Sequence, residues 1–137
     1  MPKILIIEDE QNIAQMYKEK FEKANFVVFL AFNAKDGILL TKKEKPDLIL
    51  LDILLPQEDG ITFLQWLRSD PEISPIPVVV ISNYEDQKIM EETSKLGVKE
   101  YLLKANYTPG QLLEKIKNYL KNHEKKSKTI DKIYQSS

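Results

Sequence analysis

The stretch Asp47-Leu-Ile-Leu-Leu-Asp52 decides the fold, because it sets four large apolar residues between two carboxylates. An apolar run of this length, with helical patterns on both sides, is typical of a strand buried on both faces at the centre of a parallel sheet. The run ends on Asp52. Ligands of open α/β sheets bind at the edge formed by the carboxyl ends of the strands. Asp52 is therefore the first candidate for a functional residue.

Strand-like and helical patterns alternate over the rest of the chain. Further strand-like runs occur at 3–7, 26–32, 78–81 and 98–103, and a helical pattern follows each of them. This alternation, without an internal repeat, predicts the α/β class. We expect a doubly wound (βα)5 fold, a parallel sheet with helices on both faces that forms a three-layer sandwich.

Several helix ends carry capping signals. Asn33 is expected to cap helix two, Gly97 to end helix four in a left-handed conformation, and Thr108 to cap helix five. Helix one is expected to have acidic residues in its first turn, so capping is a simple alternative explanation for Glu8-Asp9. The segment from Pro56 to Gly60 is predicted to be a loop.

Composition limits the possible functions of the chain. The 137 residues suit one domain, 42% of them are hydrophobic and 30% are charged, and cysteine is absent. Disulfides and thiolate chemistry are therefore excluded, which fits a cytoplasmic location. No apolar run is long enough to span a bilayer, and no signal peptide is recognisable at the start. The net charge of −1 argues against a strong nonspecific grip on nucleic acid.

Polar side chains stand where four of the predicted strands end. Glu8-Asp9 follows strand one, Asp52 ends strand three, Ser82 follows strand four and Lys104 follows strand five. Each residue alone has an ordinary explanation, such as capping a helix or reaching solvent. Because parallel strands end at one edge of the sheet, their joint occurrence predicts a single site.

The residue types at this edge predict phosphoryl chemistry. Crowded carboxylates repel one another, and a divalent cation removes that repulsion. Oxygen ligands favour Mg²⁺, which commonly bridges carboxylate and phosphate oxygens. Asp52 would then be the nucleophile that forms an acyl phosphate, while Lys104 and Ser82 hold the remaining phosphoryl oxygens.

The motifs at these strand ends resemble those of the bacterial response regulator receiver domain, of the stand-alone, chemotaxis-regulator-like kind. The resemblance extends from residue 3 to about residue 121. It implies a receiver domain over 1–121 and a flavodoxin-like strand order 2-1-3-4-5. Residues 122–137 are polar and lysine-rich, and we expect them to form a frayed or disordered tail. The matching motifs are Ile-Ile-Glu8-Asp9, Leu-Leu-Asp52-Ile-Leu-Leu-Pro56-Gln-Glu-Asp59-Gly60, Val-Val-Ile-Ser82 and Tyr101-Leu-Leu-Lys104.

The resemblance implies a role for each residue near the acceptor. Asp52 corresponds to the aspartate that takes a phosphoryl group from a histidine kinase. Asp9 corresponds to a direct Mg²⁺ ligand, and Glu8 to one that acts mostly through water. Asp52 and the backbone carbonyl of Leu54 would complete the protein ligands. Lys104 corresponds to the lysine that pairs with the phosphoryl group.

The resemblance also implies a switch. Ser82 corresponds to the hydroxyl that moves to the phosphoryl group, and Tyr101 to the aromatic residue that then turns inward. A phosphoryl group adds charge and new acceptors, so it can bias such a two-state element. The family signals through the face of helix four, strand five and helix five.

The same resemblance defines the expected partners. They are a sensor histidine kinase or a phosphotransfer protein, and an unknown output partner, with no direct binding of nucleic acid and no insertion into a membrane. The chain is expected to be a monomer or a phosphorylation-linked dimer. It is not expected to be an enzyme beyond Mg²⁺-dependent self-phosphorylation from a donor and autodephosphorylation.

Two departures from the family pattern keep an alternative open. Ala105 stands where a proline after a cis peptide is usual, and Asn83 stands where a very small residue is usual. The alternative is a scaffold or interaction module that works without phosphorylation. A flavin or dinucleotide enzyme is disfavoured because no glycine-rich loop follows strand one. A haloacid-type phosphatase is disfavoured because Leu54 stands where it needs a second aspartate.

Overall fold

The structure is a computed structural model that describes residues 1–55 and 60–135, with side chains as far as residue 122. Residues 1–106 form one compact unit, and the chain from Tyr107 onward forms a second. A short 3-10 helix, Lys104–Asn106, ends the first unit. The other elements are β1 Lys3–Ile7, α1 Gln11–Lys23, β2 Val27–Ala31, α2 Ala34–Glu44, β3 Leu48–Asp52, α3 Gly60–Ser69, β4 Val78–Ser82, α4 Gln87–Lys95, β5 Glu100–Leu103 and α5 Pro109–Gln135.

The strands form one parallel sheet in the order β2-β1-β3-β4-β5. This order confirms the predicted doubly wound, flavodoxin-like α/β fold. Every residue of β3 and of β4 is buried, as expected for strands in the interior of such a sheet. Because β1 and β4 both pair with β3, the residues that follow β1 and β4 flank Asp52 at one edge.

Alternate residues of the central strands build the core beneath α2 and α3. Leu5, Ile7 and Leu51 belong to one buried cluster with Phe63 and Leu67 of α3. Helix α2 approaches β1 closely at Gly37, where a Cβ atom would lie 2.7 Å from Cδ1 of Ile7. The helices thereby hold the central strands, and the polar residues at the strand ends, in fixed positions.

The predicted helix ends are confirmed in three places. The side chain of Asn33 accepts a hydrogen bond from the backbone of Asp36 at 2.8 Å. Gly97 has a φ of 75° after α4. The hydroxyl of Thr108 accepts from the backbone of Gln111 at 3.1 Å, and the Gln111 side chain accepts from the backbone of Thr108 at 2.9 Å. These reciprocal bonds form a capping box at the start of α5.

The ends of two helices differ from expectation. The predicted acidic first turn of α1 is wrong: the helix begins at Gln11, and the Glu10 cap makes no side-chain capping bond. Helix α5 continues to Gln135 through residues for which a frayed or disordered tail was predicted. Lysine and glutamate are good helix formers, and no proline or glycine interrupts the sequence after Gly110. The domain boundary at residue 121 stays a prediction.

The connection after β5 differs from the usual family pattern. Among the described residues no peptide bond is cis, so the Lys104–Ala105 bond is trans. Residues 104–106 instead form a turn of 3-10 helix, which carries Lys104 at its start. The predicted loop at 56–60 lies, apart from Gly60, outside the described residues. No helix in the described part of the chain is both long enough and apolar enough to cross a membrane.

Candidate functional site

Asp52 is the last residue of β3 and lies at the carboxyl edge of the sheet, with 5% of its surface exposed. Its Oδ1 accepts a hydrogen bond from the backbone of Leu54 at 3.1 Å. Its Oδ2 accepts from Nζ of Lys104 at 3.0 Å. These two contacts fix the carboxylate between the loop after β3 and the residue that follows β5.

Glu8 directly follows β1 and is completely buried. Its Oε2 accepts a hydrogen bond from Nζ of Lys104 at 3.0 Å, and its Oε1 accepts from the backbone of Glu10 at 3.4 Å. A burial this complete is not what simple capping of α1 requires. The ammonium group of Lys104 therefore lies between two carboxylates that come from different strands.

Asp9 completes an acidic cluster. Oxygen atoms of Glu8, Asp9 and Asp52 all lie within 4.8 Å of one another. Asp9 is half-buried, so the cluster faces solvent on its side. Three carboxylates at this spacing could hold a metal ion, and oxygen-only ligands suit a hard divalent cation.

The electrostatics of the cluster favour an additional positive charge. The pKa of Glu8 is raised from 4.5 to about 7, first by burial and then by the charge of Asp52, against the hydrogen bond from Lys104. Burial alone would lower the pKa of Lys104, but its hydrogen bond with Glu8 and the nearby carboxylate charges outweigh burial and raise it. One ammonium group thus leaves the carboxylates incompletely neutralised, and a divalent cation fits this deficit.

The two predicted switch residues are connected through Tyr84. Ser82 ends β4 and is buried, and its Oγ accepts a hydrogen bond from the backbone of Tyr84 at 3.1 Å. The hydroxyl of Tyr101 donates to the backbone carbonyl of Tyr84 at 2.8 Å. A movement of the Ser82 hydroxyl would therefore disturb the same peptide segment that holds the Tyr101 side chain.

The structure brings most of the predicted site residues together. Glu8, Asp9, Asp52 and Lys104 form one cluster. Ser82 stands at the end of the strand beside Asp52, and the Leu54 side chain is 43% exposed next to the acceptor. The roles assigned to these residues, including a metal bond from the Leu54 carbonyl, stay predictions.

Sequence reasoning assigned no role to Tyr17 beside the acidic cluster or to Arg68 away from it, and it did not predict the backbone contacts of Tyr84. The phenol of Tyr17 in α1 is buried, and its pKa is raised mainly by that burial, with smaller effects from the charges of the acidic cluster. The backbone of Tyr84 links Ser82 to Tyr101. The sequence carried only a weak signal for this contact, because serine side chains often accept a hydrogen bond from the backbone two residues later. Arg68 contacts backbone carbonyls up to 29 residues away, and no local pattern could have predicted that.

Comparison with known proteins finds a receiver-domain family model and several related bacterial proteins that match this chain. A family model for the response regulator receiver domain matches residues 4–117. The polar-differentiation response regulator DivK of Brucella anthropi is 30% identical over 88% of this chain and 98% of its own length. Protein PilH of Pseudomonas aeruginosa is 34% identical over 76% of this chain and 86% of its own length. The transcriptional regulatory protein PhoP of Bacillus subtilis is 30% identical over 89% of this chain but only 50% of PhoP.

Solved structures agree in fold. A CheY-like response regulator receiver domain protein from Methanospirillum hungatei superposes with a TM-score of 0.84 at 27% identity, over 92% of this chain and 98% of that one. The receiver domain of Francisella response regulator 1452 gives a TM-score of 0.78 at 30% identity, over 90% and 99% of the two chains.

Proposed function

Because this chain belongs to the family of response regulator receiver domains of two-component systems, we propose that Asp52 accepts a phosphoryl group and thereby switches the binding of a partner. The donor would be a phosphohistidine of a sensor kinase or of a phosphotransfer protein. In the transfer, an Asp52 carboxylate oxygen forms a bond to phosphorus as the bond from phosphorus to the donor nitrogen breaks. The product is an acyl phosphate, which water later hydrolyses back to the carboxylate.

The contact of Lys104 with Asp52 carries this proposal. The Lys104 ammonium group lies 3.0 Å from the acceptor carboxylate, so it can donate a hydrogen bond to a phosphoryl oxygen after the phosphoryl group has been transferred to Asp52. Its second contact with Glu8 keeps it at the carboxyl edge of the sheet before transfer. Lys104 is thus already positioned to stabilise charge that develops on the incoming group.

The acidic cluster supports Mg²⁺ as the cofactor. Asp9 and Asp52 would be direct ligands, Glu8 would act mostly through water, and the Leu54 carbonyl would complete the protein ligands. When bound, Mg²⁺ would supply positive charge to the carboxylates and to the phosphoryl oxygens. The Leu54 backbone and Lys104 would hold the carboxylate of Asp52 in place, and Lys104 would favour the ionised form of Glu8 against the burial that raises its pKa.

The contacts of Tyr84 support the proposed switch. Ser82 would exchange its hydrogen bond from the Tyr84 backbone for one to the phosphoryl group. The peptide of Tyr84 would then shift, and with it the carbonyl that holds the Tyr101 hydroxyl. This change biases a two-state arrangement of β4, the start of α4 and β5.

Partner binding follows from this switch. The output partner would dock on a surface that includes α4 and β5, and the predicted contribution of helix five stays a prediction. The family is one of receivers rather than of enzymes that turn over a separate substrate. The cytoplasmic location, the absence of direct nucleic-acid binding and the choice between monomer and phosphorylation-linked dimer also stay predictions.

The decisive experiment measures intact mass after incubation with Mg²⁺ and a small acyl-phosphate donor. We expect the native protein to gain the mass of one phosphoryl group and Asp52→Asn to gain none. Asp59→Asn is a matched control, because Asp59 belongs to the same motif but is not a proposed acceptor. If a folded protein that still binds Mg²⁺ gains no phosphoryl mass, the result would favour the alternative hypothesis of a phosphorylation-independent scaffold, which is based on Ala105 and Asn83.

A further inference from the structure

Arg68 makes an unusual set of contacts away from the acidic cluster. It lies in the last turn of α3 and is half-buried. Its guanidinium donates to the carbonyls of Ser74 at 2.6 Å and Ile76 at 2.9 Å, which precede β4. It also donates to the carbonyls of Leu96 at 2.7 Å and Gly97 at 3.3 Å, which end α4. We call this guanidinium and its four carbonyl partners the Arg68 anchor.

The chemistry of the Arg68 anchor suits the end of a helix. The last carbonyls of a helix have no partners within it and carry partial negative charge, so a cation there is stabilising. A planar guanidinium can donate in several directions at once, which a lysine ammonium on one nitrogen cannot reproduce. Arg68 therefore ties the end of α4 to the segment before β4 in one fixed geometry.

The rest of α4 is mostly exposed or half-buried. Of the residues of α4, all of which are described, Thr93 alone is fully buried. The segment from Asn83 to Lys88, which leads into the helix, is exposed throughout. At this end the Asp86 side chain accepts a capping hydrogen bond from the backbone of Ile89, whose side chain packs partly buried against the core, and the Tyr101 hydroxyl donates to the Tyr84 carbonyl. One end of α4 thus depends on the proposed switch residues, and the other end depends on Arg68.

We infer that the Arg68 anchor fixes the C-terminal end of α4 as a pivot, so that switching at Ser82 and Tyr101 moves the N-terminal end of the helix. Arg68 is then a positioning residue for the output element, at a distance from the phosphoacceptor. This inference rests on the proposed function for its signal, but the anchor itself requires no phosphoryl group.

Amide hydrogen exchange tests the anchor in the unphosphorylated protein. In Arg68→Met, we expect the amides of Leu96, Gly97 and Val98 to exchange about tenfold faster or more, because four carbonyls lose a charged donor. Arg68→Lys keeps the charge and serves if the methionine variant does not fold. We expect the amides at 96–98 to exchange more slowly in Arg68→Lys than in Arg68→Met, but still faster than in the native protein.

Two comparison variants separate the anchor from a general loss of stability. Ile49→Val shortens a fully buried side chain of β3 and should raise exchange across the sheet without a preference for the end of α4. Tyr101→Phe removes the hydroxyl that holds Tyr84 and should raise exchange at residues 84–90 only. Uniform acceleration in Arg68→Met, or no acceleration at 96–98, would overturn the anchor.

Phosphorylation tests the pivot. In the native protein, phosphorylation should change the amide exchange rates at residues 84–90 and should change those at 93–97 by less than about twofold. In Arg68→Met, phosphorylation should change the exchange rates along the whole of α4. Equal changes at both ends of native α4, or changes confined to 84–90 in both proteins, would overturn the pivot. Failure of the native protein to gain a phosphoryl group would overturn the proposed function and with it the pivot, whereas the Arg68→Met and Tyr101→Phe comparisons in the unphosphorylated protein would still decide the anchor.

Discussion

Lys104 and Glu8 form a hydrogen bond of 3.0 Å in which both partners are largely removed from water. The same ammonium group contacts Asp52 at the same distance. A cation held between two carboxylates occupies the electrostatic role that a metal ion would otherwise fill. Metal binding at this cluster must therefore share the carboxylates with Lys104, and each of the two positive charges affects the binding of the other.

Replacing Lys104 by methionine should separate these two effects. At pH 8 in EDTA, we expect Lys104→Met to lower the free energy of unfolding by about 3 kcal/mol, because the buried carboxylates of Glu8 and Asp52 lose their ammonium partner. Mg²⁺ should bind about tenfold more tightly or better, since a competing unit charge is removed. Urea unfolding and calorimetric Mg²⁺ titration measure the two quantities.

Phosphorylation of Lys104→Met should nevertheless be slower than phosphorylation of the native protein, because the variant lacks the ammonium group that stabilises the phosphoryl oxygens. Lys42→Met, which removes an exposed ion pair with Asp70, is a suitable control and should change none of the three measurements much. Weaker Mg²⁺ binding in Lys104→Met would contradict the competition between the two cations.

Mg²⁺ affinity should depend on pH through Glu8. Its carboxyl group has a pKa of about 7 in the absence of metal, so below that pH it carries a proton that must leave before the cluster reaches full negative charge. We expect the apparent affinity to fall by up to about tenfold for each pH unit below 7 and to level off above it. Calorimetry in buffers of different ionisation enthalpy also measures the released proton.

Glu8→Gln is the control for this pH dependence. Glutamine keeps the size of the side chain and can still accept from Lys104, but it does not titrate. The variant should bind Mg²⁺ more weakly at pH 8 and with little pH dependence between about 6 and 8. A native affinity that is constant over this range would show that Glu8 is not the titrating group.

The stability of the metal-free protein should change with pH in the opposite sense to that caused by a carboxylate whose pKa is lowered on folding. The folded protein holds the Glu8 proton up to about pH 7, whereas the unfolded chain releases it near the usual value of 4.5. Between these values the folded state binds more protons, so the free energy of unfolding falls as pH rises through the window. Stability from this group is fully present below 4.5 and is lost as pH passes 7.

Urea unfolding of the native protein and Glu8→Gln, both in EDTA at pH 5 and at pH 8, measures this contribution. Subtracting the two proteins removes the titration of the other groups. We expect the native protein to lose more stability than the variant between these pH values. Saturating Mg²⁺ should restore the native protein at pH 8 through binding to the folded state.

The central strands and the helix caps could be predicted because their signals are local. The apolar run 48–51 predicted a buried strand, and Asn33 with Asp36 predicted a capped helix. The acidic cluster could be predicted because parallel topology brings strand ends to one edge. None of these inferences needed a distance between residues that are far apart in the chain.

What could not be predicted depends on contacts across the fold. Arg68 meets carbonyls 28 and 29 residues away, and Lys104 meets Glu8 from 96 residues away. The pKa of Glu8 depends on how completely the folded chain buries it, which residue type does not reveal. The connection after Lys104 also escaped prediction, because Ala105 permits either a trans turn or a strained cis bond.

Gly60 should be required for the geometry of the loop after β3. A Cβ atom at this position would lie 2.8 Å from Cα of Ile53 and 2.9 Å from its carbonyl oxygen. The backbone of Gly60 also donates to that carbonyl at 2.9 Å. Because these are backbone atoms next to both Asp52 and Leu54, a substitution must displace the segment that carries the acceptor.

Gly60→Ala should therefore lower the free energy of unfolding by about 1–3 kcal/mol and also weaken Mg²⁺ binding and slow phosphorylation of Asp52. Gly37→Ala is a matched control, because its Cβ would meet the flexible end of the Ile7 side chain at 2.7 Å rather than backbone. The control should lose stability but keep its Mg²⁺ affinity. Denaturant unfolding, calorimetry and mass spectrometry on both variants make the comparison, and equal loss of Mg²⁺ affinity in the two would show that the loop after β3 has no special part in the site.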